Sequence, residues 1–111
     1  MSTVLIIDTE AAYRRVLTHV VTELGHTVTY TGDADQSKQI DLVIAAIPAD
    51  GAEGVRRLCS SHHVPVIVTS TLGRDDERQA MLDAGAIDWI RKPFRPTRVG
   101  HLVESMLGVA A

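Results

Sequence analysis

Five short β-branched runs alternate with segments of helical period along this chain, and that alternation leaves few folds open. The runs are residues 4–7, 27–31, 42–47, 64–69 and 87–90. Near-continuous apolar strands separated by amphipathic helices belong to a parallel sheet covered on both faces, because each inner strand buries both of its sides. The first helical segment places Tyr13, Val16, Leu17, Val20 and Leu24 on one stripe and stops at Gly25, a residue suited to a left-handed C-terminal cap. A helix over 75–84 stops at Gly85 in the same manner. The last repeats the period with Val99, Leu102, Val103, Met106 and Leu107, interrupted by Gly100, which costs about 1 kcal/mol relative to Ala. Only residues 32–40 separate the second and third runs, fewer than the dozen or so a parallel crossover usually takes. The second helix is therefore expected to be shortened to about two turns or replaced by a loop.

At 111 residues and 45% hydrophobic content, the chain has material for one buried core, so a single domain over 1–111 is expected. Eleven Lys and Arg against 14 Asp and Glu give a formal charge of −3, which offers no strong field for nucleic acid or an anionic membrane. Cys59 stands alone, which excludes an intramolecular disulfide and suits a reducing compartment. The opening Met1-Ser2-Thr3 leads straight into the first strand without a basic region or long apolar run. These features predict a cytoplasmic protein.

In a doubly wound sheet, ligands bind in the crevice outside the carboxyl ends of the strands. Those ends read Asp8-Thr9-Glu10, Ala46-Ile47-Pro48, Ser70-Thr71 and Lys92-Pro93. Together with Asp41-Leu42-Val43 followed by Gly51 and Gly54, with Pro65-Val66-Ile67-Val68-Thr69-Ser70, with Ala84-Gly85-Ala86-Ile87-Asp88-Trp89 and with Lys92-Pro93-Phe94, they make the chain resemble the receiver domain of two-component response regulators over residues 4–107. The resemblance implies a flavodoxin-like α/β fold, a five-stranded parallel sheet in the order 2-1-3-4-5 between two helix layers. It also implies a site. In the family, an Asp ending the third strand takes a phosphoryl group, two acids after the first strand help to hold Mg²⁺, and a Ser or Thr and a Lys after the fourth and fifth strands contact the phosphoryl oxygens. Asp8 matches the first acid, Ser70 the hydroxyl and Lys92 the lysine, with Pro93 expected in the cis form. Thr9 replaces the second acid and Ala46 the phosphoacceptor. A methyl group cannot attack phosphorus, and Mg²⁺ loses two of its usual carboxylates, so no resident cofactor or metal is expected and Mg²⁺ binding should be lost or very weak.

Read without the resemblance, the same residues have plainer roles. Lys92 beside Asp8 is a partly buried ion pair, Ser70 a satisfied strand-end hydroxyl, Glu10 the start of the first helix, and Asp75-Asp76-Glu77 an acidic first helical turn. His62-His63 lacks any Cys or carboxylate at ligand spacing. Trp89 stands where family members usually carry a smaller aromatic residue, and it is either an outward interface anchor or permanently packed.

The resulting expectation is a degenerate receiver, not an enzyme, that signals through a fixed surface. That surface is the face of the fourth helix, fifth strand and last helix, carrying Trp89, Arg91, Arg95, Arg98 and His101. Its partner would be a regulatory protein or an appended output domain. The positions of the family's charge-paired dimer hold Arg98 and Leu102, which puts that dimer in doubt but leaves another homodimer open. Two alternatives come from other classes. A phosphate-independent switch would bind a small effector or anion in the crevice through Lys92 and Ser70. A haloacid-dehalogenase type of transferase needs a second Asp two residues after the first, where this chain has Glu10.

Overall fold

The five apolar runs form strands β1 (Thr3–Ile7), β2 (Thr27–Tyr30), β3 (Leu42–Ala46), β4 (Val66–Ser70) and β5 (Asp88–Arg91). They pair in parallel as one sheet, ordered β2-β1-β3-β4-β5. The computed structural model describes residues 2–30, 39–47, 51–71 and 75–108. Its helices are α1 (Ala11–Glu23), α2 (Ala52–His62), α3 (Asp75–Asp83) and α4 (Pro96–Leu107). The expected shortened helix between β2 and β3 falls largely outside the described residues. No described helix is long and apolar enough to cross a membrane.

Strand parity builds the two halves of the core, since successive side chains leave a strand on opposite faces. Val4, Ile6, Leu42, Ile44, Ile67 and Ile90 pack with Leu17, Val20 and Val21 of α1 and Val99 and Val103 of α4. Leu5, Val43, Ala45, Val66 and Val68 turn the other way, against Val55 of α2 and Met81 of α3. Val21 was absent from the apolar stripe read in the sequence. It is fully buried because α1 packs against both the sheet and its neighbour α4 on the same face, and so needs a wider apolar face than one against the sheet alone.

Two helices end as their glycines predict. After α1, Gly25 (φ +87°) donates its N–H to Thr22 O and His26 to Val21 O. After α3, Gly85 (φ +116°) donates to Leu82 O and Ala86 to Met81 O. Both are Schellman closures, with glycine in the positive-φ position where a Cβ is penalised. His26, buried, then ties three elements together. Its Nδ1 accepts from the N–H of Ser2, which leaves Nε2–H to donate to the carbonyl of Gly108 at the end of α4, 2.7 Å away. At the same end of the sheet, Asp41 accepts from Thr3 N–H through Oδ2 and donates its own N–H to Thr3 O, both at 2.8 Å, fixing the start of β3 against β1.

Half-buried Cys59 lies against Gly85, and burial pushes its thiol pKa up. A Cβ at Gly85 would stand 3.0 Å from Cys59 Sγ, on a backbone that L-residues rarely adopt. Gly100 differs: a Cβ there would meet only Val20 Cγ1, at 3.6 Å. Gly85→Ala should therefore lower unfolding free energy by about 1–3 kcal/mol, whereas Gly100→Ala should raise it by about 0.5–1 kcal/mol. Urea denaturation of the two variants checks the opposite signs, and two changes of the same sign would refute the packing described at one of these positions.

Candidate functional site

Register carries the chemistry to one end of the sheet. Ile7 lies beside Ala45, Ala46 beside Thr69, and Ser70 beside Arg91, so Asp8, Ala46, Ser70 and Lys92 all emerge at the carboxyl ends of β1, β3, β4 and β5. Parity then splits them. Asp8 and Lys92 continue the alternation of Val4, Ile6 and Ile90 towards α1, and Ser70 continues that of Val66 and Val68 towards α3.

On the α1 side, Lys92 Nζ donates to Asp8 Oδ2 at 2.8 Å, with the side chains 3% and 1% exposed. Asp8 Oδ1 accepts from the N–H of Glu10 at 2.8 Å, so both carboxylate oxygens are engaged. The carboxylate of Glu10, half exposed, lies 3.5 Å from the same ammonium. Tyr13 places its ring under Lys92, with Nζ 4.1 Å from the centroid, and packs in turn on Phe94 at 5.4 Å between ring centres. A buried ammonium is tolerated only when such partners replace its hydration, and here a carboxylate, a second acid and an aromatic face do so. The Lys92–Pro93 peptide bond is cis, and Lys92 N–H donates to Ser70 O at 2.7 Å, which docks the turn on β4. Arg14 closes the opposite flank by donating to the carbonyl of Asp8 at 2.7 Å.

On the α3 side, Ser70 Oγ, buried, donates to Glu77 Oε1 at 2.6 Å. Sequence reasoning assigned Glu77 only to an acidic first turn, because any acid there has a generic explanation in the helix dipole. The long-range partner follows from the tertiary placement of α3 alone. Thr9 is exposed, and Ala46 is half-buried at the end of β3. Glu10 stands at the N-cap of α1 without a side-chain cap hydrogen bond, and its side chain turns to Lys92 instead. His62 and His63 end and cap α2, and among the described residues no group of three or more His, Cys, Asp or Glu could hold a metal ion.

Trp89 is not the freely exposed anchor one reading of the sequence expected. It is half-buried against Val68 and its neighbours on the α3 face, and its Nε1–H is buried with no acceptor among the described residues. What remains open of the ring lines a cleft of about 410 Å³ with Arg78, Arg91, Pro93, Phe94, Arg95 and Arg98. Arg91, Arg95 and Arg98 were expected on this face, and Arg78 was missed because nothing in the α3 sequence marks which side meets β5. His101 is exposed on α4 but does not line the cleft, and Leu102 packs inward on the α1–α4 core.

The sequence profile of the response regulator receiver domain matches residues 4–104. The chain belongs to this family. This receiver is 28% identical over 118 residues to the cyclic di-GMP phosphodiesterase response regulator RpfG of Xanthomonas campestris, a match covering 94% of this chain and 31% of that protein. It spans less than half the length of other curated relatives it matches, which are probable transcriptional regulators. Among solved structures, a response regulator from Thermotoga maritima superposes with a TM-score of 0.84 at 22% identity, covering 96% of this chain and 98% of the other. An atypical orphan response regulator with a phosphorylation-independent regulatory mechanism superposes with a TM-score of 0.79 at 21% identity, covering 95% and 94%. The fold is thus that of a CheY-like receiver, and the chain is a receiver domain of signal transduction.

The Asp8–Lys92 pair is open to a direct measurement. Lys92→Met alone should cost about 3 kcal/mol or more, because it strands a buried carboxylate. Asp8→Asn keeps the acceptor for Glu10 N–H but leaves the ammonium without its counter-charge, and should also destabilise. Combined, they should cost less than their sum by at least about 1 kcal/mol in a denaturation cycle. Additive losses would mean that the two groups do not depend on each other.

Proposed function

We propose that this receiver works without phosphoryl transfer, as a constitutively shaped docking module in a signalling pathway. The observation that carries the reading is Ala46, which ends β3 at the position matching the family's phosphoacceptor and brings no nucleophile to it. The surroundings agree with that reading. Mg²⁺ favours hard oxygen donors in near-octahedral geometry, and the residues present suit it poorly: Asp8 is committed to Lys92 and to Glu10 N–H, Thr9 is exposed, and Ala46 offers a methyl. The groups that would contact phosphoryl oxygens are likewise engaged, Lys92 by Asp8 and Ser70 by Glu77. The same engagement weighs against the alternative of an effector or anion bound between Lys92 and Ser70, since the anion would have to displace two internal carboxylates. The receiver fold has a precedent for such use in the orphan regulator with a phosphorylation-independent mechanism.

In this reading the domain has no enzymatic activity of its own, resides in the cytoplasm, and acts on a protein partner or an attached output domain. The working surface is α3, β5 and α4, where Trp89, Arg91, Arg95 and Arg98 gather.

Beryllofluoride with millimolar Mg²⁺, a mimic of the acyl phosphate, should leave the amide NMR spectrum unchanged. Shifts centred on Asp8, Ala46 and Lys92 would overturn the proposal. Ala46→Asp alone restores a carboxylate but not the acid missing at Thr9, and should bind Mg²⁺ weakly. Ala46→Asp with Thr9→Asp should regain Mg²⁺-dependent labelling by acetyl phosphate. A folded double variant that takes up no phosphate would show that internal pairing of Lys92 and Ser70, and not the missing acids alone, closes the site.

A further inference from the structure

The α3–β5–α4 cleft has a composition that selects its guest. Among the described residues, four of the chain's 11 Lys and Arg line it, on a protein whose formal charge is −3, and none of the lining is acidic. Arg78 comes from α3, Arg91 from β5, Arg95 from the connection after β5, and Arg98 from α4. All four are exposed, and none pairs with a carboxylate among the described residues. Four guanidiniums converging on one concavity repel one another, and low-dielectric walls concentrate their field. Trp89, Pro93 and Phe94 supply an apolar lining between them. About 410 Å³ gives space for one large apolar side chain, not for a folded surface.

We infer that this cleft binds an acidic, extended protein segment that inserts one apolar side chain beside Trp89 while flanking carboxylates pair with Arg78, Arg91, Arg95 and Arg98. The inference rests on the reading of this face as the working surface and adds the chemistry of the partner. Guanidinium forks match carboxylates with two parallel hydrogen bonds, and an acidic guest removes the mutual repulsion of the four charges. A nucleic acid would also bring anions. Its extended polyanionic backbone, however, meets a net acidic protein outside the cleft, and the cationic groups here surround a compact apolar hollow instead of forming a stripe.

The chain contains a single tryptophan, so its emission reports on the cleft directly. The probe is a short capped peptide in which Asp and Glu flank one Phe, compared with a counterpart carrying Lys at every acidic position. The acidic peptide should shift Trp89 emission saturably and bind on the order of tenfold more weakly when salt is raised from about 50 to about 300 mM. The double variant Arg91→Glu/Arg98→Glu, with both changes on exposed side chains, should keep its melting temperature and lose binding by at least about tenfold. The inference is overturned if the acidic peptide leaves the emission unchanged or the Lys peptide binds as well. It fails equally if a single-stranded oligonucleotide of equal charge binds more tightly, or if sedimentation shows a dimer that the same double variant dissolves. A response to beryllofluoride at Asp8 and Lys92 would instead sink the phosphate-independent reading while leaving peptide binding intact, so the two failures are separable.

Discussion

The contact between Lys92 and Asp8 is the one on which the functional end of this molecule depends. Two opposite charges, both nearly sealed from solvent, meet at 2.8 Å between the first and last strands of the chain, with β3 and β4 lying between those strands in the sheet. Neither group is tolerable alone at that depth. The pair therefore demands that β5 end where it does, that the turn after it dock on Ser70, and that α1 begin close enough for Glu10 and Tyr13 to complete the ammonium's surroundings. In a phosphate relay such a lysine is held ready for an incoming anion. Here the anion is a residue of the chain.

Parity extends the same logic to the other face. Because side chains alternate along a strand, Lys92 and Ser70 leave the sheet on opposite sides, and each finds an internal carboxylate, Asp8 towards α1 and Glu77 towards α3. A ligand shifts a two-state equilibrium only by its differential affinity for the states. With Lys92 and Ser70 both paired to carboxylates within the fold and no nucleophile at Ala46, the proposed phosphate-independent reading has one arrangement of the crevice dominating. The hydrogen bond from Ser70 to Glu77 also anchors the first turn of α3, and with it the neighbouring Arg78, at the edge of the arginine-lined cleft.

Much of this was legible in the residues. Five apolar runs in alternation with helices, plus Gly25 and Gly85 at two helix ends, specify the sheet and its layers, because burial period and left-handed caps are local signals. Asp8 and Lys92 were legible because they sit at strand ends, where topology alone brings them together. Glu77 and Arg78 were not: an acid and a base in the first turns of a helix have generic explanations, and their partners depend on how α3 is rotated against β4 and β5. Tyr13 read as one member of an apolar stripe, and only its proximity to Lys92 shows that its ring face serves a charge. Trp89 was ambiguous between exposed and packed, and the fold makes it both, half-buried against the α3-side core and lining the cleft.

In the proposed phosphate-independent reading, a single receiver state dominates because the crevice is satisfied internally. Relaxation-dispersion NMR on the backbone amides of Ser70, Glu77 and Trp89 and on the Trp89 indole N–H tests it most directly, since receiver-like rearrangements fall in the microsecond-to-millisecond range this method detects. Flat profiles at all four sites are predicted. Concerted dispersion reporting a second state populated at about 1% or more would contradict the account, because it would mean that Lys92 and Ser70 leave their carboxylates often enough for a ligand to select the open form.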